Sequence, residues 1–345
     1  MQSGVIDADG HIVEKDSEVR AHLPGPYAKR RGSLVPSDGM DTGMGGRLGG
    51  LEGNDIPTRL QDMDREGIDV SVLFPTSSFN MTQLIERDYA VAYARAYNDY
   101  AAEVCAQSPR LRAVALLPFQ DVEAAVEEAN RAVTELGLAG VAVATQGMKE
   151  HLGSQTFWPI YEELQRLDVP FCVHNRREGP AGDQRFDSFL FMHTIGRPVE
   201  TVIQFAGLLY GGVPERFPRL RIGFLECGVG WVPYWMERMD EEWEKRGSIE
   251  APLCKERPSD YVLHGNWFFA TEPEEGMLPY VIDRIGVEKV LFASDYPHWD
   301  GLFPHVVSTI RAREDISDDA KEKILGGNAK RFYGWDGDDS ASERS

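Results

Sequence analysis

Several short runs of this sequence end in side chains able to hold a metal ion or move a proton. The run Gly4-Val-Ile-Asp-Ala-Asp-Gly-His11 starts apolar and then sets Asp7, Asp9 and His11 at alternate positions. Alternate residues of a strand share a face, so one short strand would point all three the same way. The run Leu291-Phe-Ala-Ser-Asp-Tyr-Pro-His298 is apolar as far as Asp295, with a histidine three residues beyond. Val169-Pro-Phe-Cys-Val-His174 ends in an imidazole, and Leu220-Arg-Ile-Gly-Phe-Leu-Glu226 ends in a carboxylate. Gathered together, Asp9, His11, His174 and Asp295 offer two carboxylates and two imidazoles. That set suits one borderline divalent ion, Zn²⁺ first, with Mn²⁺, Fe²⁺ or Co²⁺ tolerating the same donors. Without a cation the two aspartates repel and one takes up a proton, so the competing reading is a proton-sharing, ion-paired cluster.

Gathering requires a scaffold that brings strand ends to one place. Apolar runs mark strands at Gly4–His11, Val70–Phe74, Leu111–Leu117, Gly140–Ala144, Val169–His174, Leu220–Glu226, Asn266–Thr271 and Val287–Asp295. Between them, helical spacing covers Thr58–Glu66, Gln83–Gln107, Val122–Leu136, Phe157–Leu167, Val199–Tyr210, Gly230–Lys245 and Leu278–Ile285, with helices near 305–313 and 318–331 closing the chain. Eight strands alternating with helices predict an α/β fold, a (β/α)8 barrel, and every special residue falls at a strand's C-terminal end, the face where such barrels keep their sites. The expected organisation is one domain over 1–335, with a Gly-rich, lid-like insertion at 32–55 after the first strand and a polar tail at 336–345. The stripe Tyr89, Tyr93, Tyr97 and Tyr100 reads as core packing.

Composition narrows the partners. A net charge of −20 over 345 residues repels phosphate backbones and argues against nucleic acid, and it requires a local basic pocket for any anionic substrate. Arg176 and Arg177, directly after His174, are candidates to bind a carboxylate, solvated loop arginines being the alternative. No apolar stretch is long enough to span a bilayer. The four cysteines form no Cys-x-x-Cys pair, and no signal peptide is visible, so a reducing cytoplasm is the expected setting. No Gly-x-Gly-x-x-Gly follows a strand, which disfavours a dinucleotide site.

Ile6-Asp-Ala-Asp-Gly-His11, the histidine ending the fifth strand, and Ala293-Ser-Asp-Tyr-Pro-His298 resemble the amidohydrolase superfamily, and within it the branch related to aminocarboxymuconate-semialdehyde decarboxylase. Gly211-Gly-Val-Pro-Glu-Arg-Phe-Pro-Arg-Leu-Arg221 and Gly327-Asn-Ala-Lys-Arg-Phe-Tyr333 are similar to that branch as well. The resemblance implies a barrel with one divalent metal, its first-strand pair falling on Asp9 and His11, its fifth-strand histidine on His174 and its eighth-strand aspartate on Asp295. Asp9 stands where the family has His or Glu. Glu226 stands where the decarboxylases often have a histidine acting as acid or base; it is expected to do that work, to be an outer ligand, or to pair with Arg238. No lysine ends the fourth strand, so a two-metal site is not expected.

Three functions follow as expectations. The first is non-oxidative decarboxylation of a small aromatic or unsaturated carboxylic acid, with Asp295, Glu226 and His298 as catalytic candidates. The second is hydrolysis of an amide, lactone or C–C bond by activated water, and the third is a non-catalytic binding barrel. A homodimer is expected, with the Trp-rich helix 230–245 as a candidate face. His193, Trp231 and Trp299 are candidates for the mouth or an aromatic wall, against ordinary packing.

Overall fold

The computed structural model describes residues 4–36, 55–175, 186–298 and 300–336. Nine short parallel strands carry the core: β1 (Ile6–Ile12), β2 (Val70–Pro75), β3 (Leu111–Ala113), β4 (Ala115–Leu116), β5 (Val141–Ala144), β6 (Phe171–His174), β7 (Ile222–Leu225), β8 (Trp267–Thr271) and β9 (Val290–Phe292). Hydrogen bonding runs β1-β2-β3 and β4-β5-β6-β7-β8-β9. β3 and β4 are two halves of the third barrel strand. Val114 between them donates its N–H to Leu73 O at 3.2 Å, and Ala115 donates to Gly140 O at 2.8 Å. One half therefore pairs backward with β2 and the other forward with β5.

The ring closes beyond the end of β9. Asp295 N–H donates to Asp9 O at 2.9 Å and His11 N–H to Tyr296 O at 2.7 Å. The eight strand positions form the (β/α)8 barrel, and the closing seam is the pair of motifs that carry Asp9, His11 and Asp295. Nearly every strand residue is buried, as both faces of a parallel barrel strand must be. That burial is why the strands read as unbroken apolar runs.

Helices cover the outside. Ile56–Glu66 stops at Gly67, whose φ of 74° places it in the left-handed region while its N–H caps Met63 and Asp64 carbonyls. The helix expected from Gln83 starts instead at Arg87. The residues before it, Ser77–Gln83, form a 3₁₀ turn whose leading N–H groups are taken by Glu14: Thr76 N at 3.1 Å, Ser77 N at 2.9 Å and Ser78 N at 3.2 Å from its carboxylate oxygens. The helix expected at Val199 begins ten residues earlier and runs Phe189–Tyr210 with Pro198 inside it. A proline is most often found at a helix start, so the sequence pattern mislocated the boundary. Helices at Asp16–His22, Val213–Arg216 and Pro258–His264 were not anticipated. Tyr89, Tyr93, Tyr97 and Tyr100 are buried in the core. Trp231 packs edge-on against Phe205, Phe224 and Phe269 instead of walling a pocket. Most of the 32–55 loop, all of the tail after Asp336, Arg176, Arg177 and Trp299 lie outside the described residues. No helix among the described residues is long and apolar enough to cross a membrane.

One expectation about β1 fails for a physical reason. Its pairing with β2 slips between Asp7 and Gly10, a bulge that breaks strict alternation. Asp7 accordingly leaves the Asp9–His11 set. It accepts bonds from Ser71 Oγ at 2.7 Å, Ser294 N at 2.9 Å and Ser294 Oγ at 2.8 Å, tying β1 to β2 and to the strand-eight motif. Gly10 leaves room for this: a Cβ there would sit 2.6 Å from Ser71 Oγ and 2.8 Å from Asp7 Oδ2. Gly10→Ala is expected to cost about 1–3 kcal/mol through overpacking, read as a lowered denaturant midpoint at unchanged slope. An unshifted midpoint would show that the bulge does not depend on the missing side chain.

Candidate metal centre and active site

Four strand ends converge. Asp9 and His11 leave β1, His174 ends β6, and Asp295 follows β9 in the closing turn. The side chains of Asp9, His11 and His174 are buried to within 1% of complete enclosure, and their ligand atoms lie within 4.8 Å of one another. His11 Nε2 stands 3.6 Å from Asp9 Oδ1 and 3.2 Å from Asp295 Oδ1, and His174 Nε2 stands 3.5 Å from Asp9 Oδ2. Donors bound about 2.1 Å from one ion are held roughly 3–3.5 Å apart from their neighbours, which is this spacing.

The hydrogen bonds prepare both imidazoles as ligands. His11 Nδ1 faces Pro75 O at 2.9 Å and His174 Nδ1 faces Asn175 O at 2.6 Å. A carbonyl only accepts, so the ring proton sits on Nδ1 and each Nε2 keeps its lone pair toward the cluster. Asp9 Oδ1, Asp9 Oδ2, His11 Nε2 and His174 Nε2 are all buried without a hydrogen-bond partner. Buried polar atoms are seldom left so, and a buried carboxylate with both oxygens unbonded is the costliest case. Burial pushes the Asp9 carboxyl up to about 7, against the lowering pull of His174. Burial, reinforced by the charges of His298 and His174, holds His11 well below its ordinary value and hence neutral. For His174 burial acts downward, but the Asp9 and Glu226 carboxylates override it and the net shift is upward. A divalent cation at the centre resolves all of these at once: it matches the spacing, takes the lone pairs and stabilises the carboxylate.

Around this centre lies a ring of engaged groups. Asp295 and Glu226 both adopt positive φ, 53° and 56°, a left-handed conformation that aspartate tolerates and that strains the longer glutamate. Asn175 Nδ2 donates to Glu226 O at 2.9 Å, while its Oδ1 accepts from Thr201 Oγ1 at 2.9 Å, so the long helix Phe189–Tyr210 clamps this turn. Glu226 Oε2 is 3.1 Å from His174 Nε2, and its Oε1 accepts from Arg197 Nη1. The partner is therefore Arg197 and not Arg238, which pairs along its own helix with Glu241 and Glu242. His298 Nδ1 lies 2.5 Å from Asp295 Oδ1 and its Nε2 lies 3.1 Å from Thr76 Oγ1. Burial acts downward on His298, but the Asp295 charge outweighs it and raises the imidazole to about 9. His193 reaches the rim, with Nε2 3.3 Å from Asp300 Oδ2. Phe79 stacks on the His174 ring at 4.5 Å between centroids and encloses that side.

Sequence reading missed Arg197, Asn175, Thr76 and Asp300. Arg197 lies mid-helix beside a proline and Thr76 in a loop. Neither position carries a pattern that sets it apart. Asn175 was findable, since it directly follows a strand-ending histidine.

A (β/α)8 barrel with His and Asp donors converging at the C-terminal mouth defines a class of metal-dependent enzyme. The comparisons agree. The amidohydrolase family model matches residues 6–335, and the chain belongs to that family. It is 31% identical to gamma-resorcylate decarboxylase of Rhizobium sp. strain MTP-10005 over 297 residues, 81% of this chain and 87% of that one. It is 28% identical to 2-amino-3-carboxymuconate-6-semialdehyde decarboxylase of Dictyostelium discoideum over 284 residues, 82% of this chain and 77% of that one. Among solved structures, a dihydroxybenzoic acid decarboxylase from Polaromonas sp. JS666 with bound manganese and the inhibitor 2-nitroresorcinol superposes with a TM-score of 0.74 at 26% identity, covering 96% of this chain and 97% of that one.

Because a bound ion stabilises only the folded chain, added Mn²⁺ is expected to raise the thermal midpoint above that of chelator-treated protein. Asp295→Asn, which keeps the side-chain shape and tolerates positive φ, should abolish the increment and the bound metal while leaving far-UV circular dichroism intact. An increment that survives in Asp295→Asn would remove that residue from the metal set.

Proposed function

We propose that the protein removes CO2 from a small aromatic or unsaturated carboxylic acid without redox chemistry. The observation that carries the reading is the set of four buried, unsatisfied ligand atoms on Asp9, His11 and His174, at the mouth of a barrel whose relatives include decarboxylases of two substrate classes. Asp9, His11, His174 and Asp295 would hold one divalent ion, which supplies Lewis-acid polarisation of the acid's oxygens. Zinc was the expectation from donor types alone. The manganese in a related decarboxylase, together with two carboxylates in the set, supports manganese equally, and we assign one of these two.

The chain's own groups do the remainder. A ring carbon that loses CO2 must gain a proton. His298 and Glu226 are two proton-transfer groups at the mouth that do not belong to the assigned metal set. Glu226 has one oxygen on Arg197 and the other facing His174, so transfer through it requires parting from one partner. His298 is likewise engaged at both ring nitrogens, by Asp295 and Thr76, but Thr76 is a neutral hydroxyl whose hydrogen bond is weaker than the charged contact to Arg197, so we assign the transfer to His298. Phe79, stacked on the His174 ring, covers that side of the centre with hydrocarbon.

We assign the activity to one unit spanning 1–335 acting in the cytoplasm, a setting consistent with four unpaired cysteines. We also assign it to a homodimer. The tryptophans of the 230–245 helix turn inward, Trp231 onto core phenylalanines and Trp243 Nε1 onto Cys254 O at 2.9 Å, so they do not make the face. The helix Phe189–Tyr210 does better: Phe191, Ile195, Val199 and Ile203 are exposed at strict four-residue spacing, one apolar stripe along its outer side. Light scattering should find a dimer that Ile195→Asp converts to monomer. A monomeric wild type at micromolar concentration would end that assignment.

The activity itself is tested by incubating manganese-loaded protein with hydroxybenzoates and carboxymuconate semialdehydes. CO2 should be released, and His298→Gln should lower kcat by roughly 100-fold or more with its metal retained. Solvent ¹⁸O in a product acid would show hydrolysis instead. Absence of CO2 from every acid would overturn the reading.

A further inference from the structure

The mouth of the barrel is acidic. Asp9, Glu226, Asp295 and Asp300 lie close together, in a chain whose net charge is −20. One divalent ion shared among two ligating aspartates leaves little positive potential for an incoming carboxylate. Among the described residues, Arg197 is the arginine that forms ion pairs on this rim, with Glu226 and, at 4.0 Å through the same Nη1, with Asp300. No described lysine pairs with either acid.

Arg197 is only partly used. Its Nη1 serves Glu226, whereas Nε is buried with no hydrogen-bond partner and, among the described residues, no hydrogen bond engages Nη2. Nε–H and the adjacent Nη2–H form the side-on edge of a guanidinium, the fork that takes a carboxylate through two parallel bonds. The guanidinium also stands one carboxylate away from the metal set, since the Glu226 group that it holds faces His174 Nε2 at 3.1 Å. Its position is fixed. Thr201, one turn further along the same helix, directs its single hydroxyl proton to Asn175 Oδ1 at 2.9 Å, with Arg197 O beside it at 3.1 Å. The helix thus cannot withdraw Arg197 without breaking the clamp on the Glu226 turn.

We propose that Arg197 is the carboxylate handle of the site. Its free Nε–Nη2 edge receives the substrate's carboxylate while Nη1 stays on Glu226, and it thereby selects aromatic acids over the corresponding phenols. This rests on the decarboxylase reading for the class of ligand. It assigns the task expected of Arg176 or Arg177 to a residue held by the barrel wall.

Equilibrium binding to manganese-loaded protein tests it, with 2,6-dihydroxybenzoate and other hydroxybenzoates against resorcinol, which lacks the carboxylate. Arg197→Gln should weaken the acid by roughly 10- to 100-fold and change resorcinol little, and Arg197→Lys should recover part of the loss. Arg197→Gln combined with Glu226→Gln removes the unpaired glutamate that the single variant leaves, and the acid should still bind weakly. Unchanged acid binding in Arg197→Gln overturns the proposal. So does an equal loss for acid and resorcinol, or recovery of acid binding in the double variant, since either makes Arg197 a structural partner of Glu226. A wild type that binds the acids but releases no CO2 defeats the decarboxylase reading alone, and the handle is then judged on the binding ratios. A wild type that binds no acid removes both.

Discussion

A carboxylate sealed inside protein with both oxygens unbonded is the constraint around which this barrel is built. Asp9 is completely enclosed, and its nearest neighbours are two imidazoles whose lone pairs point toward it. In hydrocarbon such an arrangement is unfavourable by several kcal/mol. A cation reverses the sign of nearly every interaction in the cluster. The closing seam of the barrel is made by the same residues, because Asp295 N–H binds Asp9 O while His11 N–H binds Tyr296 O. The contacts that close the barrel are thus the ones that hold Asp9, His11 and Asp295 together, while His174 joins them from β6.

Outside the donors, the structure is a set of fixed orientations. Backbone carbonyls of Pro75 and Asn175 set the imidazole tautomers. Glu14 gathers the N–H groups of Thr76, Ser77 and Ser78, and Thr76 in turn meets His298. Asn175 and Thr201 join three elements around Glu226. None of these contacts is near in sequence to the group it orients, apart from Asn175. The site depends on the tertiary arrangement of loops on a rigid barrel, as preorganised sites generally do.

That division explains what the sequence made legible. All eight barrel strands stood out because burial on both faces demands continuous apolar runs, and Asp9, His11, His174, Glu226 and Asp295 stood out because each interrupts such a run at its C-terminal end. Asp7 looked equivalent to Asp9 and is not: a bulge depends on register with β2, which no local pattern reveals. Arg197 was hidden for a related reason. The periodicity starts a helix at Val199, which leaves Arg197 in a loop, and the sequence offers Arg238 as one of several roles for Glu226 without pointing to Arg197. The short helix Pro258–His264 carries too few turns to show periodicity.

The left-handed backbone at Asp295 and Glu226 has a consequence for how these positions can vary. Asparagine, aspartate and glycine visit this region readily, whereas a longer side chain adds about 1–2 kcal/mol of local strain. At 295 the turn and the chemistry ask for the same short acid. At 226 they disagree, and a glutamate is kept where a smaller residue would let the chain relax. The turn there stores a tension that only its carboxylate, held between an arginine and a histidine, makes worth retaining.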